Sequence, residues 1–369
     1  MSTTPKHFDT IVIGAGIIGS GCAYKIAKSG QKTLLLEQFT LGHVHGSSHG
    51  SSRIIRCTHD FNWKRTLEKS NILYSFGISH EIIYSGSLIQ KRFSQIVNFD
   101  QKYSAIYEPG GGSLLANNCL EAIQRQFLAL GEMAIIKDNE KVLSIIPINK
   151  QNEINLLEVG TNKDYYLSNN VVIATGGWLP NLLPNIKIFP HRVGVCFWRV
   201  KSRQQLFLPE NLTAPSFVIM EENGQIFYSL PCIDYPNAIK LSLHGSLSNN
   251  HKCTLPISSM DEHISTDKTI IPDWKDISHY ITKHFPDLDS SVPMVKCACV
   301  YNLTEDENFI VDRHPQINNL FIAGGFSGTG FKHALTIGKI ISNWINNKPV
   351  EFDMSHFKIN RTIKMKARI

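Results

Sequence analysis

The feature that most constrains this chain is a glycine-rich turn between a short apolar strand and a helix near the N-terminus. The run Thr10 to Ile13 is β-branched and typical of a buried parallel strand, and it leads directly into Gly-Ala-Gly-Ile-Ile-Gly at positions 14–19. Gly14 permits a tight turn, Gly16 lets the backbone approach a pyrophosphate, and Gly19 lets the helix pack closely on the strand. Free N–H groups and the positive dipole end at the helix start favour phosphate there.

The next elements complete a nucleotide-binding unit. We expect a helix from Ser20 to Ser29 and a second strand from Lys32 to Glu37. The Glu37 carboxylate can accept hydrogen bonds from a ribose diol, and it repels a 2′-phosphate, which disfavours NADP. A glycine turn alone also occurs as a plain structural turn, but strand, helix, strand and acid in this order predict a nucleotide site.

Composition describes an ordinary globular protein and excludes several classes. At 369 residues, with 42% hydrophobic and 18% charged residues, the chain suggests about two domains. We expect no membrane partner, because no apolar run is long enough for a membrane span, and no secretory signal is visible at residues 1–9. The net charge of +6 is modest and its basic residues are not interleaved with aromatics, so no nucleic-acid partner is expected. An anionic small substrate or cofactor explains this charge.

The eight cysteines are scattered, which favours reduced thiols over a disulfide framework. Cys297 and Cys299 are the only close pair, and no Cys-x-x-Cys or His-Glu-x-x-His motif appears. We therefore expect no metal site.

The order of elements predicts an α/β fold in which a doubly wound nucleotide-binding domain is interleaved with an antiparallel-sheet substrate domain. We expect helices at 63–76, 117–131, 273–285 and up to Trp344, and strands at 82–88, within 132–159, at 171–178 and at 319–325, with antiparallel strands between 188 and 245. The nucleotide-binding domain then comprises 1–80, 141–190 and 296–369, and the substrate domain comprises 81–140 and 191–295.

A loop of small and polar residues, 42–52, precedes Arg53 and Arg56. Backbone N–H groups and hydroxyls of such a loop can cradle phosphate and ribose, although by itself the loop also reads as a flexible surface turn. The two arginines could either form ion pairs on the protein surface or bind an anion.

Six short motifs in order resemble the monomeric sarcosine oxidase family of flavin amine oxidases, including its peroxisomal sarcosine/pipecolate oxidase branch. The motifs lie at 11–19, 46–56, 107–109, 174–178, 296–301 and 324–332, and the likeness runs from Phe8 to about Arg361. The resemblance implies a glutathione-reductase-type FAD-binding domain and a monomer. It also implies oxidation of a secondary amino acid such as sarcosine or L-pipecolate, by hydride transfer to FAD, with imine hydrolysis and reduction of O2 to H2O2.

The resemblance also implies roles for single residues. Arg56 and Lys332 correspond to the substrate-carboxylate site, and Lys240 corresponds to the lysine that activates oxygen. The remaining catalytic positions are His49, Arg53, Tyr228, His244 and Tyr301. The FAD-binding positions are Gly14, Gly16, Gly19, Glu37, Ser47, Ser48, Cys299, Gly328 and Gly330.

For three of these residues a plainer interpretation stays open. Cys299 falls where the family attaches FAD through an 8α-thioether, but a buried structural cysteine is the commoner case, and Cys297 could take the role instead. Lys332 could be a solvated lysine at a helix start, and Lys240 could point outward from its strand.

The chain departs from the family between Arg56 and Tyr107, where it is shorter than family members usually are. Two rival functions stay open: a flavin dehydrogenase with an acceptor other than oxygen, and, because of this shortened segment, a non-catalytic FAD-binding protein. The terminal Ala367-Arg368-Ile369 resembles a degenerate Ser-Lys-Leu peroxisomal address, which predicts recognition by a peroxisomal import receptor; a cytoplasmic location is the alternative.

Overall fold

The computed structural model describes residues 5–58, 66–93, 96–150, 153–201, 215–245 and 274–362, and its strands form two main sheets. The helices are α1 (Ile17–Lys28), α2 (Thr66–Ser75), α3 (Gly86–Arg92), α4 (Ala116–Leu128), α5 (Leu179–Leu182), α6 (Lys275–His284) and α7 (Ala334–Ile345). The first sheet contains β1 (Lys6–Ile13), β2 (Thr33–Leu36), β7 (Ala134–Lys137), β8 (Val142–Lys150), β9 (Glu153–Thr161), β10 (Tyr165–Ile173), β16 (Ile310–Arg313) and β17 (Leu320–Gly324). The second contains β11 (Phe189–Arg199), β12 (Phe217–Met220), β13 (Ile226–Tyr235), β14 (Ala238–Leu243) and β15 (Val295–Leu303). Two small sheets pair β3 (Ser52–Ile55) with β6 (Gly112–Leu115) and β4 (Glu81–Ile83) with β5 (Ala105–Tyr107).

The first sheet has a parallel centre in the order β7-β2-β1-β10-β17, and β16 joins its edge antiparallel to β17. Ile13 at the end of β1 lies opposite Leu36 of β2 and Ile173 of β10. The carboxyl ends of the three strands therefore meet at one edge. In an open parallel sheet, this edge is where nucleotides bind.

Helices α1 and α7 approach each other closely on one face of this sheet through two glycines. A Cβ on Gly338 would lie 2.4 Å from the carbonyl oxygen of Gly21, and a Cβ on Gly21 would lie 2.6 Å from that of Ala334. Because the two helices cross so closely, the loop that leads into α7 lies near the first glycine turn. This return supplies a second loop to the same edge of the sheet.

The second sheet is antiparallel throughout, in the order β12-β13-β14-β11-β15, and has its own apolar core. Tyr280 of α6 stacks on Phe227 of β13 with ring centroids 3.8 Å apart. Ile89 and Phe99, from the short segment between Arg56 and Tyr107, are buried in this core. The described residues of that segment therefore contribute to the core of the second layer.

The predicted fold class is confirmed: a parallel nucleotide-type sheet is interleaved with an antiparallel sheet. The prediction of one strand over 82–88 is wrong, since the chain leaves β4 at Ile83 and enters α3 at Gly86. The Ser85 hydroxyl accepts a hydrogen bond from the Leu88 N–H at 3.4 Å, which caps the helix. The strand expected to reach 178 ends at Ile173, and a 3₁₀ turn follows at Gly176–Trp178.

For two strands, the sheet in which the strand lies differs from the domain to which the sequence analysis assigned it. Val295–Leu303 pairs with β11 along nine positions, from Phe189 to Phe197, and so belongs to the second sheet although 296 was expected to open the closing nucleotide-binding part. Strand β7 lies in the first sheet although it falls within 81–140. Both differences arise because pairing partners distant in sequence decide the sheet to which a strand belongs. No helix in the described part of the chain is long and apolar enough to cross a membrane.

Candidate active site

One cavity of about 560 Å³ collects the residues singled out in the sequence. It is bordered by the glycine turn of the first sheet, by strands of the second sheet and by the polar loop 42–52. Its lining includes Gly14, Gly16, Glu37, Ser47, Ser48, His49, Arg53, Arg56, Tyr228, Lys240, His244, Cys299, Tyr301, Gly328, Gly330 and Lys332. Gly19 is the predicted site residue that does not line it.

The glycine turn has the geometry expected of a phosphate cradle. Gly14 adopts a φ of 98°, and a Cβ there would lie 2.6 Å from the Ala174 carbonyl oxygen. A Cβ on Gly19 would lie 1.8 Å from the Gly14 carbonyl oxygen, so Gly19 serves helix packing and faces no ligand. The Ser48 hydroxyl accepts a hydrogen bond from the Ile17 N–H at 2.9 Å, which ties the polar loop to the first turn of α1.

Glu37 is buried and holds the turn as well as facing the cavity. Its carboxylate accepts hydrogen bonds from the N–H of Ala15 at 2.8 Å and of Phe39 at 3.1 Å. Nε2 of His43 lies 3.5 Å from Oε1. A carboxylate offers about four lone-pair sites, so acceptor capacity is left for a ribose diol.

Arg53 organises the polar loop. Its guanidinium donates hydrogen bonds to the carbonyl oxygens of Ser52 at 2.7 Å, Ser47 at 2.8 Å and His49 at 2.6 Å. Its Cζ also lies 5.5 Å from the centre of the Phe331 ring. These contacts tie the loop to Arg53, and loop residues form part of the cavity wall.

Cys299 lies on β15 opposite Val193 and faces the cavity as a free thiol. The neighbouring carbonyl oxygen of Val300 accepts a hydrogen bond from the Ser47 hydroxyl, so the polar loop is anchored beside this cysteine. Cys297, two residues earlier, also lines the cavity, and burial raises the pKa of its thiol to about 11. Cys297 is therefore poorly suited to form a thiolate near neutral pH.

Arg56 and Lys332 both line the cavity and lie within electrostatic range of each other. Burial lowers the pKa of Arg56 to about 10 and the pKa of Lys332 to about 8, and the charge on Arg56 contributes to the shift of Lys332. The charge of Glu108 opposes both pKa shifts, and its carboxylate accepts hydrogen bonds from the N–H groups of Cys57 and Thr58 at 2.8 Å. The sequence singled out the Tyr-Glu-Pro motif at 107–109 but assigned Glu108 no role.

Histidine and tyrosine side chains form a neutral part of the cavity wall. Nδ1 of His244 lies 3.3 Å from the Tyr301 hydroxyl, and burial, with the charge of Arg56, lowers the pKa of His244 to about 4. Burial also raises the pKa of Tyr228 and of Tyr301. Burial lowers the pKa of His49, whose Nδ1 hydrogen-bonds the Gly46 carbonyl oxygen. These histidine and tyrosine side chains are uncharged near neutral pH, and the positive charge of the cavity lies on its arginines and lysines.

Lys240 extends from β14 into the cavity and is only 6% exposed, which contradicts the outward-pointing alternative. Its Nζ donates to the Ser52 hydroxyl at 2.6 Å and lies 3.2 Å from Oδ2 of Asp234. Asp234 was missed by sequence reasoning. It could have been found only through the β13–β14 pairing, which folds position 234 back towards position 240.

In the part of the chain that the structure describes, no group of three or more His, Cys, Asp or Glu side chains could hold a metal ion. The polar chemistry of the cavity is carried instead by hydroxyls, backbone N–H groups and fixed cations. These are the donors that a phosphate-bearing cofactor and a carboxylate substrate require.

Known proteins resemble this chain over nearly its whole length. The family model described as FAD dependent oxidoreductase matches residues 9–74 and 59–344. A putative sarcosine oxidase of Caenorhabditis elegans is 34% identical over 393 residues, covering 96% of this chain and 97% of that protein. The peroxisomal sarcosine oxidase of Homo sapiens is 32% identical, covering 98% of both chains. The solved structure of NikD, an unusual amino acid oxidase, is 16% identical, covers 96% of this chain and 97% of its own, and shares the fold with a TM-score of 0.71.

The fold, the cavity and the family model together define a class, the FAD-dependent oxidoreductases. Within that class the relatives are near full length and more than 30% identical. The chain belongs to the sarcosine oxidase family.

Proposed function

We propose that this chain is an oxidase of secondary amino acids that uses FAD. The observation that carries the proposal is the presence of a glycine turn suited to phosphate, two partly buried cations and a buried lysine in one cavity. When bound, FAD supplies the two-electron acceptor that takes a hydride equivalent from the carbon beside the substrate nitrogen and returns the electrons to O2 as H2O2.

The chain offers a matching group for each part of the cofactor. The glycine turn and the first turn of α1 would hold the pyrophosphate, and the spare acceptor sites of Glu37 would hold the ribose. Ser47 and Ser48 form the loop side of the cradle, and Gly328 and Gly330 form the closing side. A Cβ on Gly328 would lie 2.5 Å from the Tyr301 ring, so a bulkier residue would fill this part of the cavity.

Cys299 is the proposed point of covalent attachment. The support is its position as a free thiol on the cavity wall, with Cys297 disfavoured by its raised pKa. We expect the flavin of the wild type to stay with the pellet after acid precipitation. Cys299→Ser should release it to the supernatant, and the matched control Cys297→Ser should retain it. Retention of the flavin by Cys299→Ser would refute the assignment.

The substrate carboxylate is assigned to Arg56 and Lys332. Arginine offers a planar pair of donors for a carboxylate, and lysine adds a compact charge. The negative charge of Glu108 offsets part of this positive charge, which makes two cations in one partly buried region compatible with each other.

The same cations prepare the substrate nitrogen. Hydride transfer requires the neutral amine, and nearby positive charges together with burial lower the pKa of an amine. Arg53, Arg56 and Lys332 lie around the cavity, while His244 and Tyr301 stay neutral and add no counter-charge. The chain therefore favours loss of the ammonium proton from the bound substrate.

Lys240 is assigned to the reaction with oxygen. A fixed ammonium stabilises negative charge as it develops on O2, which is electrostatic catalysis. The cation also favours the oxidase over the rival dehydrogenase, in which the electrons pass to another acceptor.

The test is a panel assay for hydrogen peroxide in air. We expect peroxide from sarcosine, L-pipecolate or another N-alkyl amino acid, and none from the same amine lacking the carboxylate. Lys332→Met should raise the KM for the amino acid far more than it lowers kcat. A folded FAD-loaded protein that forms no peroxide with any secondary amino acid would refute the proposal.

A peroxisomal location and a monomeric state complete the proposal. The human relative is named peroxisomal, and a peroxide-forming oxidase suits that organelle. The terminal Ala367-Arg368-Ile369 lies outside the described residues, and its recognition by an import receptor stays a prediction. A fluorescent fusion should lose its peroxisomal location when these three residues are removed, and light scattering should give the mass of one chain. Diffuse fluorescence of the intact fusion would favour the cytoplasmic alternative.

A further inference from the structure

The ammonium of Lys240 is enclosed by polar groups to which the proposed function assigns no task. Asp234 lies near the end of β13, where the pairing with β14 is irregular between Leu230 and Tyr235. Such an irregularity re-aims side chains relative to the regular strand. The Asp234 side chain is 7% exposed and lines the same cavity as Lys240.

The contacts join three segments of the chain. Nζ of Lys240 lies 3.3 Å from Oδ1 and 3.2 Å from Oδ2 of Asp234, and it donates to the Ser52 hydroxyl at 2.6 Å. The Ser52 hydroxyl donates in turn to Oδ2 of Asp234, and the Ser51 N–H donates to Oδ1 at 3.2 Å. Asp234 therefore fixes β14 through Lys240 and the polar loop through its two serines.

We propose that Asp234 is a positioning residue that keeps Lys240 protonated and fixed in place in the flavin cavity during the reaction with oxygen. The inference rests on the proposed oxidase function, because it concerns the lysine assigned to that step. In that step two electrons and two protons pass from the reduced flavin and its surroundings to O2, giving H2O2. Asp234 touches neither partner and acts through Lys240.

The charges around Lys240 explain why it needs this partner. Burial lowers the pKa of Lys240, while Asp234 opposes the shift through its charge and its hydrogen bond. The positive charge of Arg53 lowers the pKa of Lys240 further. His49 also interacts electrostatically with Lys240. Cys297 raises the pKa of Lys240 only when its thiol is ionised to a thiolate. Because the pKa of Cys297 is raised to about 11, Asp234 is the described group that can supply a negative charge near neutral pH.

The experiment measures reoxidation of the flavin without any substrate. The holoenzyme and its Asp234→Asn, Asp234→Glu and Lys240→Met variants are reduced anaerobically by light, then mixed with O2 in a stopped-flow instrument across a pH series. In the wild type the rate constant should fall as pH rises through the pKa of Lys240. In Asp234→Asn this fall should occur about one pH unit lower or more, with a loss of rate that reaches about tenfold at pH values above the wild-type midpoint. Asp234→Glu keeps the charge and should restore the pH dependence.

A second readout does not depend on activity. In the oxidised holoenzyme labelled with ¹³C-lysine, the Cε resonance of Lys240 is identified by its absence in Lys240→Met and followed against pH by NMR. It should titrate at lower pH in Asp234→Asn than in the wild type. If Asp234→Asn does not fold, Asp234→Ser serves as the neutral variant.

The outcomes separate this inference from the proposed function. If Lys240→Met reacts with O2 as fast as the wild type, the role assigned to Lys240 is refuted, and the inference about Asp234 is refuted with it. If Lys240→Met is slow but Asp234→Asn keeps the wild-type pH dependence and lysine titration, the inference alone is overturned. If Asp234→Glu behaves like Asp234→Asn, charge is not the relevant property, and the inference is again overturned.

Discussion

At the scale of single residues, the cavity combines permanent charge with neutral titratable groups. Burial brings the pKa of Lys332 to about 8 and the pKa of His244 to about 4, so of these two groups it is Lys332 that changes charge in the range where an enzyme assay is practical. Lys332 is charged below about pH 8 and neutral above it. Its hold on a carboxylate should therefore weaken as pH rises through this value.

This charge change predicts a pH-dependent KM. For the preferred amino acid, KM should rise between about pH 7 and pH 9, by up to about tenfold, while kcat changes less. Lys332→Arg keeps its charge throughout this range and should remove the rise, which separates the lysine from titration of the substrate amine. Steady-state kinetics of both proteins make the comparison. The same rise in Lys332→Arg would contradict the assignment.

Other residue roles lie in contacts that no sequence motif reveals. The serine-rich loop, Arg56 and Lys332 could be predicted because each lies inside a short motif with a chemical signature. Asp234 pairs with Lys240, which lies 6 positions later in the chain. Glu108 interacts electrostatically with Arg56, which lies 52 positions earlier. Their partners depend on a strand irregularity and on loop packing, which residue type and spacing do not encode.

At the scale of elements, the nucleotide-binding half contains backbone-to-backbone contacts that are too close to leave room for a side chain. The crossing of α1 and α7 is the clearest case, because Gly21 and Gly338 each face a backbone carbonyl of the other helix. The sequence predicts both helices, but not that they cross at glycines, since the crossing depends on where the chain returns after 300 residues. The mistaken strand over 82–88 has a similar origin, because an apolar run of that length fits a strand or a short buried helix equally well.

The helix crossing predicts a large effect from one methyl group. Gly338→Ala should destabilise the protein by about 1–3 kcal/mol, because the new Cβ would lie 2.4 Å from a backbone oxygen that cannot rotate away. Thermal unfolding should give a clearly lower Tm for Gly338→Ala than for the wild type. Gly110→Ala is the control, since nothing lies within 4 Å of a Cβ there. Equal melting of the two variants would contradict the close crossing.

A second element-scale prediction concerns the segment after α7. Arg361 donates to both carboxylate oxygens of Asp306, at 2.8 and 2.6 Å, and to the carbonyl oxygens of Asn308 and Phe309 at 3.1 Å. Burial alone would raise the pKa of Asp306, but the hydrogen bonds from Arg361 and Asn308 outweigh it and lower the pKa to about 2. The pair's stabilisation is therefore complete above about pH 4 and is lost as pH falls towards 2.

Asp306→Asn should lower the free energy of unfolding by about 1–2 kcal/mol at pH 7 and by much less near pH 2.5. Denaturant unfolding of the wild type and the variant at several pH values measures the difference. Asp353→Asn serves as an exposed control and should change stability little at pH 7. A difference between wild type and Asp306→Asn that does not depend on pH would show that the ion pair contributes nothing.

At the scale of the whole molecule, the two sheets close one cavity, and each supplies a different part of the chemistry. The first contributes the phosphate cradle, while the second contributes Lys240, His244 and Cys299. The short segment between Arg56 and Tyr107 does not open this arrangement, because Ile89 and Phe99 are buried in the second core. The sequence predicts the interleaved architecture from its ordered motifs. It does not predict the sheet membership of Val295–Leu303, which is decided by pairing with a strand about a hundred residues earlier.

The most direct measurement is anaerobic mixing of the purified FAD-loaded protein with sarcosine or L-pipecolate, followed by admission of oxygen. Our account predicts that the flavin absorbance bleaches without oxygen and returns when oxygen enters, with release of hydrogen peroxide. Return of the colour only with an added artificial acceptor would favour the dehydrogenase. A folded yellow protein that no secondary amino acid bleaches would contradict the account.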